Sequence, residues 1–194
     1  MYEDELLKYD MEKVRMSGAD FLQLHIPRYE ELPAISLYLD QVISILNQTL
    51  TPFFEEGEDK IITGAMVNNY VKHKVIEPPR KKRYNRTHVS CLFIICILKK
   101  IFSISEIGEM MEMHGQEEDI ARDYNHFCDQ LEKALRLQFA DHTAGDTLSL
   151  EEDLTEPDMG RAMAQALANK LFVQKMIQCK RTSGEQNPSL TEKL

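Results

Sequence analysis

The stretch TGAMVNNYVKHKVIEPPRKKRYNRTHVSCLFIICILKK, residues 63–100, decides how this chain is read. It holds nine basic residues (Lys72, Lys74, Arg80, Lys81, Lys82, Arg83, Arg86, Lys99 and Lys100) against one acid, Glu77, a net of +8 inside a 194-residue chain of formal charge -9. The rest of the chain therefore carries -17. A solvated helix face normally mixes both signs, whereas four successive cations from Arg80 to Arg83 repel one another in the free protein. Something negative is expected to relieve that repulsion.

Within this stretch Thr63 can cap a short helix running to about His73. Met66, Val67, Tyr70 and Val71 fall on one side of it, and Ala65, Asn68, Asn69 and Lys72 on the other. One face packs and the opposite face offers hydrogen bonds. Pro78 and Pro79 stop any helix, and residues 80–84 are too charged for a core, so an exposed loop or hairpin tip is expected there. Asn85 caps the next helix, whose Val89, Leu92, Phe93, Cys96 and Ile97 leave few polar positions; it should be buried on most sides. Ser103 or Ser105 opens another helix, with Ile104, Ile107, Met110 and Met111 inward.

Upstream, Leu32, Ile35, Leu39, Val42, Ile43 and Leu46 recur at three- and four-residue steps. This predicts a core helix over residues 32–49 with Pro33 in its first turn. Residues 1–30 read as an N-terminal arm with one short helix, its apolar cluster being Phe21, Leu22, Leu24 and Ile26, and residues 51–60 as an acidic connector. Downstream, Gly115 marks a break. Ile120, Tyr124, Phe127, Leu131 and Ala134 then form a heptad-like seam about two repeats long, suited to intramolecular core or to a subunit interface. Residues 141–156 are polar and acidic. Pro157 opens a last helix with Met163, Ala166, Leu167, Leu171 and Ile177 inward, and residues 181–194 read as a mobile tail. The expected organisation is an arm (1–30), a DNA-binding unit (31–113), a helical dimerisation or effector region (114–180) and the tail.

Composition excludes several classes. The longest apolar run, Cys91 to Leu98, is under half the ~20 residues needed to span a bilayer, and the acidic start lacks the basic character of an export signal. A cytoplasmic protein with no membrane partner is expected. Cys91, Cys96, Cys128 and Cys179 form no CxxC pair, which points to reduced, mostly buried thiols. The six histidines show neither HxxxH nor HExxH spacing, and no GxSxG, GxGxxG or phosphate-loop pattern occurs. No catalytic residue, metal or cofactor is expected.

The order helix, polar-faced short helix, basic loop, buried helix, helix is that of a winged helix-turn-helix, a mainly α fold. Its second helix lies in the major groove and its basic wing meets phosphates or the minor groove. Asn amides can both donate to and accept from an adenine edge, and Lys72 can reach guanine or phosphate. Arg80, Lys81, Lys82, Arg83 and Arg86 would supply sequence-independent affinity by displacing counterions. If four of these five meet phosphates, log K falls against log salt with a slope of roughly -3.6. The candidate DNA-binding residues are Thr63, Asn68, Asn69, Tyr70, Lys72, Arg80, Lys81, Lys82, Arg83, Tyr84 and Arg86, with double-stranded DNA as partner.

The strings LPAISLYLDQVISIL, ITGAMVNNYVKHKVIEPPRKKRYNRTHV and LKKIFSISEI resemble a bacterial family of unassigned function, domain-of-unknown-function family 1836. Residues 32–113 are also similar in layout to the MerR-type winged helix. By that likeness Asn68 takes the place of the recognition-helix Arg, and Tyr70 that of the phosphate-contacting Tyr. Val75, Ile76 and Pro78 stand at the Leu-Leu-x-Pro turn, Lys82 and Tyr84 in the wing, and Phe102, Ser103, Glu106 and Ile107 at the later helix start. The chain departs from the pattern in carrying Lys74 where the turn has Gly, Asn68 where the helix has Arg, and a shorter wing. The resemblance implies a sequence-specific transcriptional regulator, whose helices after Gln116 would pair two subunits as a homodimer or hold a site for an effector. Two other readings use the same residues: a helical adaptor docking an acidic protein partner, and a small-ligand-binding helical protein whose Met110, Met111 and Met113 line a pocket.

Overall fold

The computed structural model describes residues 10–54, 61–113, 120–140 and 158–185. These form seven α-helices: α1 (Met11–Ser17), α2 (Leu39–Leu50), α3 (Gly64–Lys72), α4 (Arg86–Leu98), α5 (Ile104–Met113), α6 (Ile120–Phe139) and α7 (Met159–Glu185). Short 3-10 turns cover Ala19–Gln23, Tyr29–Glu31 and Thr51–Phe53. Among the described residues there is no strand, only two isolated antiparallel bridges, Leu37 with Tyr84 and Arg80 with Arg83. The protein is mainly α.

Helix α4 is the central element, with ten of its thirteen residues buried. Asn85 caps it, its side-chain oxygen accepting from the His88 N–H at 3.1 Å. Around it pack α2 through Val42, Leu46 and Leu50, α3 through Val67 and Tyr70, and α5 through Ile107. Helix α5 begins with a reciprocal cap: the Ser103 hydroxyl accepts from the Glu106 N–H, and the Glu106 carboxylate accepts from the Ser103 N–H at 2.7 Å. These local signals are the ones the sequence displays.

Helix α2 starts at Leu39, not at Leu32 as the periodicity predicts. The residue before a proline is pushed out of the helical region, and Leu32 stands at ψ 152 in extended backbone. Leu37 pairs with Tyr84, and Ile35 is 72% exposed rather than on the core face.

Residues 10–32 also contribute to the core: Val14, Phe21 and Ile26 are buried, and Phe21 meets Phe53 and Phe139 with ring centroids 6.1 and 5.1 Å apart. Polar contacts hold the segment on α6. Tyr124 Oη donates to the Pro27 carbonyl at 2.9 Å, and the Tyr29 N–H donates to Asn125 at 2.7 Å. Glu132, only 5% exposed, accepts from the Ile26 N–H at 2.7 Å and from Arg28 Nη1 at 2.8 Å. Burial disfavours the Glu132 carboxylate, but the Arg28 guanidinium and the Ile26 amide outweigh it and hold the group below its ordinary value.

The seam of Tyr124, Phe127, Leu131 and Ala134 is buried by the chain's own elements, chiefly α7, α4 and the turns at 19–31. On α7, Met163, Leu167 and Leu171 point inward as expected. Ala164 and Ala168 fill the same face, while Ala166 is exposed and Ile177 is 43% exposed. The small inward residues let α7 approach α6 closely. Cys91, Cys96 and Cys128 are buried free thiols, with Cys179 half-buried. Residues 181–185 belong to α7; the remainder of the expected tail, the Gly115 break, the 141–156 segment and Pro157 lie outside the described residues.

A Glu132→Gln variant should lose about 3 kcal/mol in urea unfolding at neutral pH, because Arg28 keeps only the exposed Asp129 carboxylate and the buried Ile26 N–H loses its charged acceptor. The carboxylate titrates lower folded than unfolded, so its contribution is full above the unfolded value and is lost as pH falls through the folded one. The wild type should therefore lose stability below about pH 4.5 more steeply than the variant.

Candidate nucleic-acid interface

Helix α3 begins with the Thr63 hydroxyl accepting from the Met66 N–H at 3.3 Å. Val67 and Tyr70 turn into the core at 0% and 3% exposure, which leaves Ala65, Asn68, Asn69 and Lys72 exposed on the other side. No described part of the chain covers that face.

The helix closes with the Lys74 N–H donating to the Val71 carbonyl at 3.0 Å and the Val75 N–H to the Tyr70 carbonyl at 2.9 Å. This double closure needs a left-handed residue at its corner, usually glycine. Here the corner is Lys74, at φ 59. Val75 and Ile76 then drop into the core, and Pro78 and Pro79 lead the chain out to a tight turn.

In that turn the Arg83 N–H donates to the Arg80 carbonyl at 2.9 Å, and both central residues have positive φ, Lys81 at 50 and Lys82 at 61. Two central residues of positive φ define the primed hairpin turn that Asn-Gly fills best. Lys74, Lys81 and Lys82 are the three non-glycine residues with positive φ among the described residues. Each stands where an L-residue costs roughly 1–2 kcal/mol.

Tyr84, after the turn, is locked in place. Its N–H donates to the Leu37 carbonyl at 2.9 Å and its carbonyl accepts from the Leu37 N–H at 2.8 Å. Its ring is 3% exposed and meets His88 edge-on at 5.5 Å. Beside it the Arg83 guanidinium stacks 3.8 Å above the Tyr38 ring, donating to the Tyr38 hydroxyl at 2.9 Å and to the Ser36 carbonyl at 3.2 Å. The turn is thus bound to the three residues that precede α2. At the start of α3, a Cβ on Gly64 would lie 3.4 Å from Leu39 and 3.8 Å from Ile43, in the first turns of α2. Both features rest on the same end of one helix.

The nine cations of residues 63–100 separate into groups. Lys72, Lys74, Arg80, Lys81 and Lys82 are exposed, and Arg83 is exposed but fixed on Tyr38. Arg86 turns toward the Tyr29 ring, 5.5 Å away, with its Nε buried. Lys99 donates to the Ile61 carbonyl at 2.7 Å, and Lys100 sits 3.9 Å over the Phe54 ring. Of the expected contact residues, Tyr70 and Tyr84 lie in the core. Burial pushes the Tyr70 hydroxyl up to about 12 and raises that of Tyr84. Sequence reasoning missed Tyr38 and Ile35, which stand exposed beside the turn, and Lys74; the glycine-type corner after α3 is the signal that marks Lys74.

The profile of a domain of unknown function (DUF1836) matches residues 27–130, which is more than half of the chain. The chain belongs to that family. No curated protein and no solved structure matches it.

Replacing Lys74 with Gly should raise the unfolding free energy by about 1 kcal/mol, because the left-handed corner then carries no Cβ. Guanidinium unfolding of the variant beside the wild type checks this.

Proposed function

We propose that the chain is a DNA-binding transcriptional regulator in which α3 enters the major groove and the Arg80–Arg83 turn acts as a short, MerR-like wing. The single observation behind the reading is that, among the described residues, the three forced into left-handed backbone are all lysines of the +8 segment. Glycine or asparagine would hold those corners at lower cost, so cations retained there are cations with a use. An anion as densely charged as a duplex backbone supplies that use. Asn68, Asn69 and Lys72, open to solvent on α3, offer the donors and acceptors that base edges recognise.

The contact set differs from the full list of candidates. Lys72, Lys74, Arg80, Lys81 and Lys82 would meet phosphates, Asn68 and Asn69 would read bases, and Thr63 would hold the helix start. Arg83, clamped between Tyr38 and Ser36, would act as a preorganised phosphate contact that loses little side-chain entropy on binding. Tyr70 and Tyr84 would position the surface from beneath. A second reading, an adaptor for an acidic protein partner, is favoured by Ile35 and Tyr38, apolar surface at 72% and 50% exposure next to the cations.

Fluorescence anisotropy with mixed genomic DNA fragments tests the reading; absence of binding at low salt would overturn it. A Lys81→Asn/Lys82→Gly double variant should fold more stably, by about 1–2 kcal/mol, because Asn-Gly suits the turn. It should nonetheless bind DNA more weakly, with a log-log salt slope about 1.8 less steep than the wild type. Asn68→Ala should reduce discrimination between selected and random sequences while leaving that slope unchanged.

A further inference from the structure

A cavity of about 250 Å³ opens where the turn after α3, the start of α4 and the outer half of α5 meet. Its walls are apolar along Val75, Ile76, Met111 and Ile120, and three charged side chains line it: Lys74, Glu77 and Glu112. All three are exposed, and none forms an ion pair with another described residue. Opposite charges facing one small apolar volume suit a ligand that carries both signs around an apolar body. The volume is below the roughly 300–1,000 Å³ typical of drug-sized sites, so the ligand is small.

Gly108 supports reading the space as a site. It stands inside α5, where glycine weakens a helix relative to alanine. A Cβ there would meet only Val75 Cγ2, at 3.8 Å, an ordinary contact, so no close approach of another element demands glycine. A larger side chain at 108 would grow into the cavity that Gly108 lines.

The cavity adjoins the end of α3 directly and the basic turn through His88 and Tyr84. Lys74 and Val75 form the corner that closes α3. Across from them, Asn85 and His88 line the space at the cap of α4, with the Asn85 N–H donating to His88 Nδ1 at 3.2 Å. The His88 ring rests on Tyr84, which fixes the basic turn to Leu37. A molecule seated here bears on the end of α3 and on the root of the turn together.

We propose that this cavity is an effector site for a free α-amino acid. Its carboxylate meets Lys74, its ammonium meets Glu77 or Glu112, its side chain lies along Val75 and Met111, and its occupancy alters affinity for DNA. The last clause rests on the DNA-binding reading; the binding of the amino acid does not.

The test takes the full chain through scanning calorimetry with each standard L-amino acid at about 10 mM, and with isoamylamine and 4-methylpentanoate as single-charge analogues. At least one apolar amino acid should raise Tm by roughly 3 °C or more, and by clearly more than either analogue. Gly108→Leu, which fills the space, and the double change Glu77→Gln/Glu112→Gln, made at the surface and leaving the fold intact, should each abolish the rise. No shift with any amino acid, an equal shift with isoamylamine or 4-methylpentanoate, or a shift that persists in both variants would overturn the site. In anisotropy, the active amino acid should change DNA affinity by about fivefold or more. A Tm rise lost in both variants with DNA affinity unchanged would overturn the effector role. If the protein binds no DNA under any condition, the DNA-binding reading and the effector role fall together, and calorimetry still decides whether the cavity binds.

Discussion

Two backbone hydrogen bonds between Leu37 and Tyr84 determine where the cationic part of this protein stands. They join segments far apart in the chain, so their formation bears a loop-closure cost that local turn chemistry cannot offset. Once formed, they settle several things together. The approach to α2 becomes extended, Tyr84 is drawn into the core against His88, and Arg83 comes over Tyr38. A turn of four cations with no such rung beneath it would be driven apart by its own charge.

The backbone at this surface runs against local preference. Schellman corners and primed turns favour Gly and Asn, and lysine stands at all three left-handed positions among the described residues. At the starts of α3, α4 and α5 local choices and tertiary demands agree: Thr63, Asn85 and Ser103 each cap the helix they precede. Backbone strain gathered on one surface is the pattern expected where a requirement other than stability is being met.

What could be read from the sequence was what local chemistry determines. Helix α3 with its polar and apolar sides, the caps of α4 and α5, the exposed turn and the buried character of α4 all follow from residues within a few positions of one another. The start of α2 did not, because Leu32 and Ile35 fit a helical period by coincidence while Pro33 and the pairing with Tyr84 claim that segment for another purpose. The role of residues 10–32 in the core was equally hidden. Their hold on α6 comes through Glu132, Asn125 and backbone groups, and a charged residue such as Glu132 gives no sign of burial until the Arg28 that neutralises it is brought alongside. Tyr70 and Tyr84 show the converse: a tyrosine in a basic stretch invites a functional assignment, whereas here both rings fill the interior.

The ion pair between Arg28 and Glu132 crosses the boundary of the segment recognised by sequence. The family profile ends at residue 130, in the middle of α6. A fragment trimmed to those limits would keep Arg28 and the exposed Asp129 but discard Glu132, the buried carboxylate of the pair. It would also lose Leu131, Leu135 and Phe139 from the face of α6 that supports the interior. The shared segment thus leans on the second half of α6, which lies beyond the family limits and closes the interior.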